Sequence, residues 1–273
     1  MTASPTVYTH MAVRFLEAQG PFILSWAGRN NQRIGELPSW APDWTVKNIE
    51  LPSIIYKAAG NSQWACKVHS EHGLRILATH GITLSSVSAL TDAPAMPAYQ
   101  GRLGEREIFE LLRSHIEACI KLSELRRSGD QTSNKRDLWT ALGADSTRSW
   151  TRLAKEYGDD FIMFPEWLAS YQTEAVSTIP SSYLEHIQTM NIRDVFVYRR
   201  FAIDSRGSIC LVPYSTREGD SIVVVAGLTV PLVVRSLEKG RLEIIGECYV
   251  YGSMDGEEIE EAPQKPYEDF LFS

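Results

Sequence analysis

The sequence predicts an α+β fold: an antiparallel β-barrel or strongly bent sheet built from N- and C-terminal segments, with a helical insertion between them. Three observations lead there. Period-two alternation around residues 63–87 marks strands early in the chain. Apolar residues at three-to-four spacing then mark helices within 104–190. From 194 to 254 the chain returns to short β-branched runs separated by glycine-bearing turns, the pattern of a small barrel. The expected organisation is one domain, 1–273. It divides into 6–103 (helix, Trp-rich loop and hairpin), 104–190 (helical insertion), 194–254 (antiparallel β unit) and an acidic tail, 255–273.

Each element has a local cause. Val7, Met11, Val13, Phe15 and Leu16 give an amphipathic helix that Gly20-Pro21 should break. Segment 36–53 carries Pro38, Pro42 and Pro52, which fix φ and remove donors, so it is an extended loop pinned by Trp40 and Trp44. Strands at 63–69 and 74–78 flank a turn at His72-Gly73, and a separate strand at 82–87 should follow Gly81. The stretch 92–101 reads as a loop. Ile108, Leu111, Leu112, His115, Ile116, Cys119 and Leu122 form one helix face. A polar spacer at 126–135 then separates this helix from 138–142, and further helices are expected at 150–157, 161–171 and 182–190. Five strands follow, at 196–202, 208–212, 221–226, 230–234 and 242–250, and the tail 255–269 reads as solvated.

Composition narrows the function classes. With 27 basic against 34 acidic residues the formal charge is −7, and no basic patch stands out, so a nucleic-acid partner is not expected. The most apolar stretch, 221–234, is interrupted by Gly227 and Pro231 and is too short to span a bilayer, so membrane insertion is not expected either. Four cysteines without CxxC spacing read as reduced thiols, and a cytoplasmic location is expected. The chain shows no P-loop, GxGxxG or GxSxG, so no cofactor is expected. Asp159-Asp160 reads as a helix start. Cys66, His69, His72 and His80 are the one metal-like set, but hairpin alternation need not turn them to one side, and no metal is expected. Arg199, Arg200 and Asp255 sit among apolar residues and need charged or polar partners.

Three segments carry a family resemblance. They are LPSWAPDW at 37–44; RRF and GSICLVP within 199–213, followed by GDSI at 219–222, Pro231 and Arg235; and GECYVYGSMDGE at 246–257. With TVY at 6–8, LSWAG at 24–28 and WTAL at 139–142, the ordered set resembles the region downstream of the HET domain in fungal heterokaryon-incompatibility proteins. Tyr251 stands where that family shows His, Ser253 where it shows Ile, and WTAL replaces WRTL. The HET domain itself does not occur within these residues, so the resemblance implies an accessory region standing alone.

The stand-alone region also resembles a norbornene-forming Diels–Alder cyclase of fungal terpenoid biosynthesis, and that resemblance implies a cofactor-free cyclase of secondary metabolism. The expected reaction is an intramolecular [4+2] cycloaddition of an apolar terpenoid or polyketide. Such a reaction needs a folded-up substrate and one or two fixed donors, but no metal or nucleophile. On this expectation Trp40, Trp44, Tyr56 and Trp64 wall the pocket, Asp43 orients an arginine, and Tyr198, Arg199, Tyr249 or Tyr251 supply the polar groups. The alternative expectation is a non-catalytic binding or regulatory module related to heterokaryon-incompatibility proteins. Neither expectation fixes an oligomeric state.

Overall fold

A computed structural model describes residues 4–28, 34–45, 51, 53–92, 105–124, 131–147, 149–153, 199–260 and 266–273. Helix α1 (Pro5–Gln19) opens the chain with Pro5 in its first turn, where a missing N–H costs nothing. The expected break at Gly20-Pro21 is milder than a break: the chain tightens into a 3₁₀ helix, Gly20–Trp26, that buries Ile23 and Leu24. Strands β1 (Cys66–Glu71) and β2 (Leu74–Leu90) form the expected hairpin, with Glu71 opposite Leu74. His72 (φ 48°) and Gly73 (φ 81°) are both left-handed, as a two-residue turn matched to strand twist requires.

The separate strand expected after Gly81 is instead the second half of β2, which runs unbroken for 17 residues. Gly81 is no breaker. It is the crossing point where β2 pairs with strands on both edges, and a Cβ there would lie 2.1 Å from the Val224 carbonyl oxygen. Register shifts between Thr83 and Ser85 and between Val87 and Ala89 let so long a strand bend.

Helices α2 (Glu105–Ser123) and α3 (Gln131–Leu142) form the described part of the insertion. Helix α3 begins inside the expected polar spacer. The expected helix at 150–157 does not begin at Trp150: residues 146–152 form a tight hairpin closed by a Ser146–Arg152 bridge, with Trp150 at φ 60°. The expected helices at 161–171 and 182–190 lie outside the described residues, as does nearly all of the loop expected at 92–101.

The C-terminal strands are β3 (Arg199–Asp204), β4 (Ile209–Pro213), β5 (Ser221–Val225), β6 (Leu232–Ser236), β7 (Leu242–Glu247), β8 (Tyr249–Val250) and β9 (Glu268–Phe272). The single strand expected at 242–250 is split at Cys248, because β7 pairs with β6 whereas β8 pairs with β4. The end of the expected acidic tail is also different: β9 is a sheet strand whose Phe270 and Phe272 are buried. A short helix, α4 (Glu257–Glu260), precedes it.

The nine strands among the described residues make one bent sheet. Pairings run from β2 through β5, β6, β7 and β9 and back to β2, a ring whose narrowest seam is the single parallel pair Leu242–Phe272. Strands β3, β4 and β8 extend from the far end of β2. Helical segments lie between the N- and C-terminal strands, so the α+β architecture is the one the sequence predicts. Alternate residues of β5 serve two apolar clusters, Val223 and Val225 in one, Ile222 and Val224 in the other. Burial on both faces explains why this strand reads as an unbroken apolar run.

Candidate functional site

A set of polar groups beside aromatic rings gathers where the loop before β1, the segment just after α3 and β8 meet. A 3₁₀ turn, Ser53–Ile55, sets up Tyr56, and the next residue is fixed by a Lys57 N–H donated to the Met254 carbonyl at 2.8 Å. Tyr249 on β8 lies behind it, with ring centroids 6.1 Å apart. The Tyr56 hydroxyl donates to the Ala144 carbonyl, just past the end of α3. Ala144 and Asp145 are both left-handed at φ 49°, turning the chain sharply into the 146–152 hairpin. Arg152, on the hairpin's return limb, holds its guanidinium 4.7 Å from the Tyr56 ring centroid. It donates to Asp145 at 2.6 Å and to Asp255, in the loop leaving β8.

Burial sets the protonation of this cluster. It pushes the Asp145 carboxyl up to about 6; Arg152 pulls down, and Asp255 adds like-charge repulsion. Burial also pushes the Tyr56 phenol far up, Arg152 opposing and Asp145 and Glu247 adding to it. Tyr249 is raised for the same first reason. Arg152 stays above its ordinary value because Asp145 and Asp255 outweigh its own burial. These phenols are therefore neutral hydrogen-bond donors near pH 7 rather than bases. The Cys119 and Cys248 thiols are fully buried and pushed up by that burial, so both are poor nucleophiles.

Next to this cluster lies a buried ion pair. Arg199 on β3 donates to Glu247 on β7, which also accepts the Leu51 N–H. Arg200 donates to the Thr91 carbonyl at 2.7 Å and the Thr216 carbonyl at 2.9 Å. Arg235 grips Asp220 with two bonds, at 2.8 and 2.7 Å. The charged residues singled out in the sequence thus have partners: Arg199 fastens one strand to another, Arg200 ties β3 to the segments after β2 and β4, and Asp255 meets Arg152.

Of the expected site residues, Trp40, Tyr56 and Tyr249 belong to one buried apolar cluster, against which Trp64 and Tyr251 pack. Tyr56 and Tyr249 meet; Tyr251 is half-buried two residues further on, and Arg199 pairs beside them. Trp40 is fully buried, and its indole donates to the Arg75 carbonyl at 3.1 Å. Asp43 accepts from the Ile34 and Thr45 N–H groups, both at 2.9 Å, and from the Thr45 hydroxyl, folding its own loop. Trp44 stands against Tyr8 and Phe15 of α1 at 5.3 and 6.3 Å. Trp64 packs on Gly20 and Gly227. Tyr198 lies outside the described residues. Sequence reasoning noted Asp255 but missed Asp145, Arg152 and Glu247, whose spacing in the chain carries no signal. No group of three or more His, Cys, Asp or Glu able to hold a metal occurs among the described residues, where His80 instead meets Tyr267 at 5.4 Å. No helix among the described residues is long and apolar enough to cross a membrane.

Residues 171–272 match the family model of the Het-6 beta-barrel domain, a match that supports a HET-related C-terminal region. The comparison with curated proteins and that with solved structures gave no match.

Proposed function

We propose that the chain acts as a HET-related binding module, a barrel scaffold that docks a HET-domain-containing protein through an apolar stripe on α1. The observation that carries this reading is the match of residues 171–272 to the Het-6 beta-barrel domain. The geometry supports it in two ways. Most of the charged residues within the recognised blocks are spent on joints: Arg199 on Glu247, Arg235 on Asp220, Arg206 on Asp204 and Glu258. The second support is the stripe. Helical spacing sets Val7, Tyr8, Met11 and Phe15 within one arc of about 100°. On that arc Val7 and Met11 are 47% and 43% exposed, and the adjoining Trp44 is 36% exposed. Aromatic and methionine side chains of this kind supply the central contacts of protein interfaces.

Calorimetric titration of the full chain into a purified HET-domain-containing protein tests the reading. Saturable binding is expected, with Met11→Glu weakening it at least about tenfold, the usual effect of losing a central contact. Leu237→Glu, at an exposed position beyond β6, should leave it unchanged. Absence of binding, or equal loss in both variants, contradicts it.

A second reading, cofactor-independent intramolecular cyclisation by [4+2] cycloaddition, is favoured by one observation: Tyr56, Tyr249 and Arg152 converge as neutral and cationic donors beside aromatic rings. Fixed donors of that kind polarise a carbonyl without a cofactor. Incubation with a polyene or cyclopentadiene substrate decides it. Acceleration with altered stereoselectivity that Arg152→Met abolishes supports cyclisation; the uncatalysed rate and product ratio exclude it.

A further inference from the structure

The hairpin that follows α3 is held by an unusual charge balance. Its backbone carries three non-glycine residues in the left-handed region, Ala144, Asp145 and Trp150. Such conformations cost on the order of 1 kcal/mol or more each and persist where surrounding contacts impose them. Bonds within the turn and outward from it supply these contacts. Thr147 and Thr151 bond through backbone and hydroxyls, the Leu153 N–H reaches the Asp145 carbonyl at 3.3 Å, and Arg152 anchors the hairpin outward to Asp255 and Tyr56. We propose that the described residues of this turn, 144–147 and 149–153, form a proton-tightened clasp over Tyr56: Asp145 and Asp255 share the Arg152 guanidinium, and uptake of a proton by this set favours the closed hairpin.

The direction follows from charge and solvation. The closed set holds two carboxylates against one cation, with the Asp145 side chain only 23% exposed and that of Asp255 57% exposed. Closing therefore brings a desolvated carboxylate near a second one, and a single arginine does not offset both costs. The groups facing Asp145 among the described residues are Arg152 on its own hairpin, Asp255 from the loop after β8, Tyr56 from the loop before β1, and Tyr249 from β8. Glu247 on β7 and Tyr251 act one step further out, on Tyr56 and Tyr249. None of these adds a second cation. A protonated Asp145 still accepts from Arg152 through its carbonyl oxygen, so the bond survives while the repulsion is relieved. Burial raises the Asp145 carboxyl from 3.8 to about 6 in the closed state, whereas opening returns it to water. The closed state thus binds the proton more tightly, and acid shifts the equilibrium toward it.

Hydrogen exchange of the full chain tests this, read as protection factors for the Asp145, Thr147 and Leu153 amides relative to those of β6. In the wild type, hairpin protection should rise roughly tenfold or more as pH falls from 7.5 to 5. Asp145→Asn, neutral at every pH, should abolish that rise. Asp255→Asn, which leaves one carboxylate for one guanidinium, should move it to lower pH, and it serves as the deciding variant if Asp145→Asn fails to fold. Wild-type protection that is flat or falls toward acid overturns the proposal, as does a rise that Asp255→Asn leaves in place.

Discussion

The buried His115 and the half-buried Asp145 are two titratable side chains whose effects on stability run in opposite directions with pH. His115 on α2 is 8% exposed, and burial pushes its imidazole down from 6.5 to about 4. The unfolded chain therefore binds the proton first, so this residue's stabilising share is complete above pH 6.5 and is lost as pH falls toward 4. The loss is on the order of 3 kcal/mol from a shift of that size. Asp145 has a folded value above its unfolded one, so its share is complete below 3.8 and is lost as pH rises through about 6. Urea unfolding at several pH values separates them. His115→Phe should flatten the fall in stability between pH 6.5 and 4, and Asp145→Asn should steepen it. An acid slope that His115→Phe leaves unchanged contradicts the role given to His115. Neither residue was legible as a titrating group in the sequence. His115 stood out only as one member of an apolar helix face, and Asp145 acquires its character from burial in the fold, to which Asp255, more than a hundred residues away, adds repulsion.

Strand β2 carries the architecture, and Gly81 is its critical point. A Cβ there meets the Val224 carbonyl at 2.1 Å and the Phe270 ring at 2.7 Å, so β5 and β9 must move apart to admit it. Gly81→Ala should cost about 3 kcal/mol or more, at or beyond the upper end of core overpacking, with exchange protection lost first in β9. Phe270→Ala, which removes the ring from the same crossing, should cost about 3–5 kcal/mol. Equal midpoints for wild type and Gly81→Ala contradict the crossing. Most strands were legible because alternation and turn residues are local signals: His72-Gly73, Gly207, Gly219 and Gly240 fall in turns or strand connections as the pattern demands. Gly81 misled for a physical reason, since a glycine needed for close backbone approach looks the same in sequence as one that ends a strand. Strand β9 was hidden because Glu268 and Asp269 lead into it and only Phe270, Leu271 and Phe272 carry apolar signal. That is too short a run to outweigh an acidic neighbourhood.

Across the whole molecule, the residues that carry the family resemblance build joints. The Trp40 indole ties the proline-bearing loop to β2, Asp220 and Arg235 tie the turn before β5 to β6, and Arg199 and Glu247 tie β3 to β7 with Leu51 drawn in. The resemblance was legible because joints demand particular residues. The polar cluster beside Tyr56 was not, because segments from three distant parts of the chain compose it. The most direct measurement is a double-mutant cycle in urea on Arg199→Met and Glu247→Met. Each single change, by stranding a buried charge, should cost about 3–5 kcal/mol, and the paired change should cost far less than their sum. Single variants that unfold at the wild-type midpoint would show that this pair holds nothing together and would contradict the account.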